Sequence, residues 1–394
     1  MTAIAAPASA TELEEYRDRC RSWLARTSIP RAPLPLAERF RVLREWQRTL
    51  HAAGWLGIAW SADAGGQGLS HLHQLVFAEE LARARAPQPI GLIGLEVVGP
   101  SIDRFGTPSQ RSELLPRLLS GEDIWCQGFS EPDAGSDLAS LRTRAEVDGD
   151  DFVVSGQKVW TSWGHLASWC AMLVRTDPTA PKSRGISYLL VDMSSPGITT
   201  RPLTQMTGDQ EFCEVFLDRV RVPRANLVGE QNGGWAIARH TLGTERAAYT
   251  LRRRVEYEVA LQDAIHELGA CRTRDADPAR AYRVRAAVGR SHVALSVLRA
   301  QTRKTVDRLA AGTGPVADDS VDKLLLNHVE QQVYGSIAEL LGPLRAAPDS
   351  RPLGLDATRW AHDRLYSRAA SIYGGTSQIQ RNIIAERLLG LPRD

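Results

Sequence analysis

At 394 residues the chain exceeds what one hydrophobic core normally fills, so two or three packed units are expected. Hydrophobic residues at 43% and charged residues at 24% exclude a compositionally disordered chain, and a formal net charge of +2 gives no electrostatic basis for nucleic acid or a membrane as the main partner. Thr11 and Glu14 form a Thr-x-x-Glu pair ahead of Tyr16, Trp23 and Leu24, which predicts a first helix starting near residue 11. Apolar residues at three- and four-residue steps predict further helices at Leu43 to Ala53, Leu72 to Ala84 and Ser109 to Leu119. The Ala64-Gly65-Gly66-Gln67-Gly68 segment between two of them lacks the strand-then-helix setting of a dinucleotide fingerprint and reads as a loop.

Near residue 125 the pattern changes to alternation. Arg142 to Val147, Phe152 to Val154 and Lys158 to Trp160 are short β-rich runs separated by Asp148-Gly149-Asp150 and Ser155-Gly156, both read as turns. Further strands are expected at Trp169 to Arg175, Ile186 to Val191, Gly197 to Leu203 and Cys213 to Val222. From Trp235 to Gly390 helical periodicity returns in segments near 234–269, 278–311, 318–342 and 356–389, spaced as in a four-helix bundle, with Pro343 to Pro352 as its longest loop. The predicted order is an N-terminal helical domain over 1–124, a β-barrel-like domain over 125–232 and a C-terminal helical bundle over 233–394. No internal repeat is visible.

Only four of the 48 basic residues are lysines, namely Lys158, Lys182, Lys304 and Lys323, a bias that reflects genome composition rather than function. The five cysteines are odd in number and lack paired short spacing, which predicts a reducing compartment without a disulfide framework or zinc ribbon. The nine histidines show no metal-ligand spacing, so no metal is expected. The first ten residues lack the positive flank of a secretory signal, and no run approaches the ~18 apolar residues of a membrane helix; a cytoplasmic location is expected.

Three segments carry candidate chemistry. In Gln127-Gly128-Phe129-Ser130-Glu131-Pro132-Asp133-Ala134-Gly135-Ser136-Asp137, small residues let the main chain approach a ligand and hydroxyls are available to acceptor oxygens, although a plain β-turn has the same composition. Val159-Trp160-Thr161-Ser162-Trp163-Gly164 sets an aromatic plane beside two hydroxyls, where most tryptophans are simply core. Ile372-Tyr373-Gly374-Gly375-Thr376-Ser377-Gln378-Ile379-Gln380-Arg381 breaks a helix with two glycines and restarts it at a Thr/Ser cap, either as a corner or as a nest of main-chain donors aimed at a carbonyl or phosphate.

In this order on an α-β-α chain, the three segments resemble the acyl-CoA dehydrogenase family, from about Leu13 to the C-terminus. The resemblance implies FAD held by the β unit and the helical bundle. Gln127 falls within the implied flavin segment; Phe129 and Ser130 would contact the pyrimidine edge through main chain and hydroxyl, and Ser136 would reach the pyrophosphate. Trp160 would pack on the isoalloxazine, Ser162 would approach its N5 region, and Thr376 and Gln378 would help from the last helical corner. It also implies an acyl-CoA or acyl-carrier thioester as substrate, near Ser136, Arg246 and Tyr373, with electrons passed to an electron-transfer flavoprotein. The α-proton needs a placed base, the developing enolate needs donors at the carbonyl, one of them the main-chain N–H of Gly374, and the β-hydrogen leaves as hydride to the flavin.

Two departures from the family pattern shape the expectation. Many members carry a glutamate directly after the tyrosine matching Tyr373, where this chain has Gly374; isovaleryl- and long-chain-type members place it on the first bundle helix before an arginine, and here Leu242-Gly243-Thr244-Glu245-Arg246 makes Glu245 the candidate base. The family's Arg-x-x-Phe-Gly stretch is not found around Arg283 to Ser296, and Glu339-Leu340-Leu341-Gly342-Pro343 replaces its adenosine-binding loop. Those elements reach a neighbour's FAD, so the chain is expected in a homo-oligomer or as one half of a heteromeric dehydrogenase, of the kind that handles bulky steroid-like thioesters in actinobacteria. A non-catalytic partner subunit and a flavin monooxygenase on the same fold are the competing readings; Glu245 argues against both.

Overall fold

The computed structural model describes residues 8–32, 35–269, 278–311, 317–341 and 357–392. By compactness the chain divides into two units, Met1–Phe77 with Ala84–Glu245, and Ala78–Arg83 with Arg246–Asp394.

The first unit opens with helices α1 (Ala10–Arg26), α2 (Leu36–Ala52) and the start of α3 (His71–Arg83), followed by α4 (Gly99–Phe105) and α5 (Pro108–Ser120). The α1 cap is Ser9, not Thr11: the Ser9 hydroxyl accepts from the Glu12 N–H and the Glu12 carboxylate accepts from the Ser9 N–H at 2.7 Å. The Thr11–Glu14 pair has the right spacing but begins inside the helix, where Ser9–Glu12 already occupies the unsatisfied N–H groups. The glycine-rich stretch after residue 64 is a loop as expected, and Gly66 lies so close to Trp60 that an added β-carbon would fall 2.4 Å from the tryptophan Cβ.

Eight strands follow: β1 (Trp125–Gly128), β2 (Arg144–Asp148), β3 (Asp151–Ser162), β4 (Trp169–Arg175), β5 (Ile186–Asp192), β6 (Ile198–Leu203), β7 (Phe212–Pro223) and β8 (Leu227–Val228). They form one sheet in the order β6-β7-β3-β2-β4-β5-β8, with β1 paired in parallel to β4. Gly149-Asp150 closes the β2–β3 hairpin, Gly149 supplying φ 62°. Ser155-Gly156, expected as a second turn, instead lies within β3: the strand continues through a bulge in its pairing with β7, and Gly156 takes φ 152° against Thr143. Glycine after serine signals a bulge as readily as a turn when strand-forming residues flank it on both sides.

Alternation along β4 builds two cores. Cys170, Met172 and Val174 pack with Phe152, Val154 and Val215, whereas Ala171 and Leu173 face Trp125, Tyr188 and helix residues Ile102, Leu115 and Leu118. Both faces of the strand are therefore buried, and each fully buried leucine- or valine-sized side chain contributes at most about 1.5–3 kcal/mol.

Helix α6 (Gly234–Gly269) runs from the first unit into the second, which also contains α7 (Pro278–Ala310), α8 (Asp319–Leu341), α9 (Ala357–Tyr366), a 3-10 turn over Ser367–Ser371 and α10 (Ser377–Arg387). Its core joins Tyr257, Leu261, Leu298, Leu326, Val329, Val333, Ile337 and Trp360. The expected loop from Pro343 to Pro352 lies outside the described residues. No described helix is long and apolar enough to cross a membrane.

Candidate active site

In the first unit the sheet brings the Gln127–Asp137 segment and the Trp160 segment together. Gln127 is half-buried on β1, while the Phe129 ring is buried and meets Tyr188 edge-on at 5.9 Å, so only the main chain of residue 129 is available to a ligand. Ser130 is half-buried, and its carbonyl accepts from the Val159 N–H at 3.0 Å, which ties it to β3. Ser136 is exposed in the turn that follows, beside Gly135, around which no heavy atom lies within 4 Å of an added β-carbon.

Trp160 stands out in this arrangement. Its indole is 61% exposed, and its backbone has φ 59° at an irregularity in the β3–β7 ladder between Lys158 and Thr161. A bulky residue in the left-handed region costs on the order of 1–3 kcal/mol. With the indole held outward, burial does not repay that strain. Phe212 meets the indole edge-on at 6.1 Å, and Ser162 is half-buried two residues on.

Two residues before Trp160, β3 carries an ion pair absent from the sequence expectation. Lys158, 0% exposed, donates to Glu131 Oε1 at 2.8 Å and to the Phe129 carbonyl at 3.2 Å. Glu131 also accepts from the N–H groups of Arg142 at 2.6 Å and Thr143 at 2.8 Å. Burial works to raise the Glu131 pKa, but the Lys158 ammonium and these donors outweigh it and hold the carboxyl below its ordinary value. Burial pulls Lys158 below the usual lysine value despite the carboxylate. The pair clamps residues 129–131 to the strand that presents Trp160. Its partners are 27 residues apart, and the rarity of lysine in this chain was the one available sequence signal.

The second unit carries the other predicted residues. Gly374 and Gly375 are consecutive left-handed residues with φ 62° and 90°, and an added β-carbon on Gly375 would fall 2.5 Å from Gln380 Nε2. Gln380, buried and also unforeseen, donates from that nitrogen to the carbonyls of Gly374 at 3.1 Å and Gly375 at 3.2 Å. Thr376 caps α10 by accepting from the Ile379 N–H, and Gln378 is exposed in the first turn. Tyr373 is half-buried, with its hydroxyl hydrogen-bonded to that of Tyr249. Position 374 thus has a conformation suited to glycine, where a glutamate would be strained. Glu245 and Arg246 lie on α6, but their side chains fall outside the described residues.

Family models match the chain in three consecutive parts: the acyl-CoA dehydrogenase N-terminal domain over residues 10–122, the middle domain over 126–220 and the C-terminal domain over 232–389. The chain belongs to the acyl-CoA dehydrogenase family. The acyl-CoA dehydrogenase IpdE1 of Mycobacterium tuberculosis is 39% identical over 396 residues, covering 97% of this chain and 99% of that protein. Among solved structures, the ChsE4-ChsE5 complex from Mycobacterium tuberculosis is 32% identical with a TM-score of 0.82, over 98% of this chain and 99% of that one. The structure named "Tcur3481-Tcur3483 steroid ACAD" is 30% identical with a TM-score of 0.84, over the same shares. The chain is therefore an oxidoreductase of a flavoprotein family. A flat ring system fits the acyl-CoA dehydrogenase surface around Trp160, where the exposed indole shares β3 with Ser162, and Ser130 is tied to the same strand through its carbonyl.

Proposed function

We propose that this acyl-CoA dehydrogenase binds FAD and removes the α- and β-hydrogens of an acyl thioester, with Glu245 as the base for the α-proton. The observation that carries the reading is Trp160: a strained backbone presents a 61% exposed indole, which offers an aromatic face on which an isoalloxazine could stack. Ser130, Ser162 and the main chain at Gln127 and Phe129 would hold the polar edge of the ring, and Ser136 the pyrophosphate or the carrier end of the thioester. Thr376 and Gln378 would contribute from the start of α10, where free N–H groups and the helix dipole favour a phosphate. FAD, when bound, supplies the two-electron acceptor for the β-hydrogen.

The Gly374 N–H would donate to the thioester carbonyl, stabilising the charge that develops as the α-proton departs. The Gln380 amide fixes the corner through the two carbonyls beside it, and Tyr373 and Arg246 would complete the substrate side. With no side chain at 374, the proton must be taken from elsewhere, and Glu245 is the carboxylate that the family's alternative pattern supplies.

An electron-transfer flavoprotein would reoxidise the enzyme. Assembly with a second dehydrogenase chain is favoured by two relatives whose names each join two proteins. The decisive experiment purifies the chain alone and with its genomic neighbour, records the visible flavin spectrum, and adds acyl-CoA anaerobically. Bleaching is expected, and Glu245→Gln should slow it by about 10²–10⁴-fold while the spectrum persists. Undiminished bleaching in that variant would remove Glu245 from its role. A flavin-loaded complex that no acyl-CoA bleaches would favour the non-catalytic reading.

A further inference from the structure

Beyond position 245 the same face of α6 repeats polar aromatic and basic residues one turn apart: Tyr249, Arg253, Tyr257. In the second unit these residues form a largely buried polar cluster. Arg253 donates to the Tyr257 hydroxyl at 2.9 Å, to Glu256 at 2.8 Å and to the fully buried Glu330 at 2.9 Å, and Tyr257 donates to Glu330. The Arg253 end of the cluster is thereby satisfied within itself.

The Tyr249 end is different. Tyr249 and Tyr373 meet edge-on at 5.5 Å and share one hydrogen bond between their hydroxyls. Lys323 on α8, 2% exposed, donates to the Ala370 carbonyl at 3.1 Å, with its ammonium 4.3 Å from the Tyr373 ring centroid and 5.3 Å from that of Tyr249. Two hydroxyls joined by one hydrogen bond leave the second phenolic hydrogen uncommitted, and it has no acceptor among the described residues. Burial pushes the Tyr249 pKa up to about 12 against the opposing charge of Arg253, so the group stays a neutral donor.

Tyr249 lies one helical turn beyond the proposed base, and Tyr373 directly precedes the proposed carbonyl donor. A hydrogen-bond donor next to both positions gains nothing from a saturated alkyl chain but does gain from an oxygen. We propose that the Tyr249–Tyr373 pair determines acyl specificity by donating to an oxygen carried on the acyl group. The enzyme then prefers acyl-CoA substrates with a ketone, hydroxyl or carboxylate beyond the β-carbon over plain chains of equal length. Lys323 acts through the two rings as a positioning residue. This inference rests on the dehydrogenase reading above.

The test compares hexanoyl-CoA with 5-oxohexanoyl-CoA on the FAD-loaded protein, with its partner chain if loading requires one. Both kcat/KM with an artificial acceptor and the calorimetric Kd of the corresponding non-oxidisable 3-thia analogues are measured. The parent enzyme should prefer the oxo compound by about tenfold or more in both readouts. Tyr249→Phe and Tyr373→Phe should lose at least tenfold more on the oxo substrate than on hexanoyl-CoA. Absence of any preference in the parent, or equal losses on both compounds in the variants, would overturn the proposal. If neither compound is oxidised, the dehydrogenase reading fails, and the calorimetric preference still decides the role of the phenol pair.

Discussion

Replacing Lys158 by methionine tests the clamp on the strand that carries Trp160. The substitution keeps the stem and removes the charge, leaving Glu131, 8% exposed, without its cation. Breaking a buried pair from one side costs ~3–5 kcal/mol. Here the Arg142 and Thr143 N–H groups still satisfy part of the carboxylate, so a loss of about 3 kcal/mol is expected. The pH dependence follows from Glu131, whose carboxyl is held below its ordinary value in the parent. That stabilisation is present above the unfolded carboxylate pKa and is lost as pH falls through the folded one. Without Lys158 the Glu131 pKa rises, protonation relieves the buried charge, and the gap between variant and parent narrows as the pH falls. Urea unfolding at pH 7.5 and pH 4.5 measures both effects, and the ratio of flavin to protein absorbance reports whether the Trp160 segment still holds FAD. A loss under about 1 kcal/mol at pH 7.5, or a gap that widens on acidification, would refute the reasoning.

Trp160→Gly removes the indole and at the same time suits φ 59°, so the apo-protein should gain about 1 kcal/mol while FAD content drops sharply; unchanged flavin content would show that the indole is not the platform. Asp322 is buried, and burial pushes its pKa up to about 6 despite the opposing Thr305 hydrogen bond. The stability tied to its protonated form is full below the unfolded value and lost as pH rises through about 6, so Asp322→Asn should stabilise the bundle by on the order of 2–3 kcal/mol at pH 7.5 and not at pH 4. Calorimetric melting at the two pH values measures it, and a variant less stable at pH 7.5 contradicts the assignment.

The sequence was legible wherever periodicity or punctuation is local. The long helices follow from apolar spacing, the β2–β3 hairpin from Gly149, and the corner before α10 from two glycines and Thr376. It was less legible where one signal has two meanings: Ser155-Gly156 marks a bulge inside a strand, and two overlapping Ser/Thr-x-x-Glu pairs compete for one helix start. Lys158 and Glu131, or Tyr249 and Tyr373, meet only because the fold brings distant segments together, and neither residue type announces its partner. Gln380 lies within the segment that carries the two glycines, yet its role depends on the path of the backbone it supports.

The two buried lysines have a consequence for how this molecule tolerates substitution. Lys158 and Lys323 are 0% and 2% exposed, in a chain that otherwise carries positive charge almost entirely as arginine. A slender ammonium fits between a carbonyl, a carboxylate or two ring faces, where a flat five-donor guanidinium would leave donors unmet. Arginine, the ordinary replacement on this protein's surface, is therefore a disruptive one at these two interior sites. Amine-directed reagents would correspondingly find Lys182 and Lys304 while the interior pair stays silent until the chain opens.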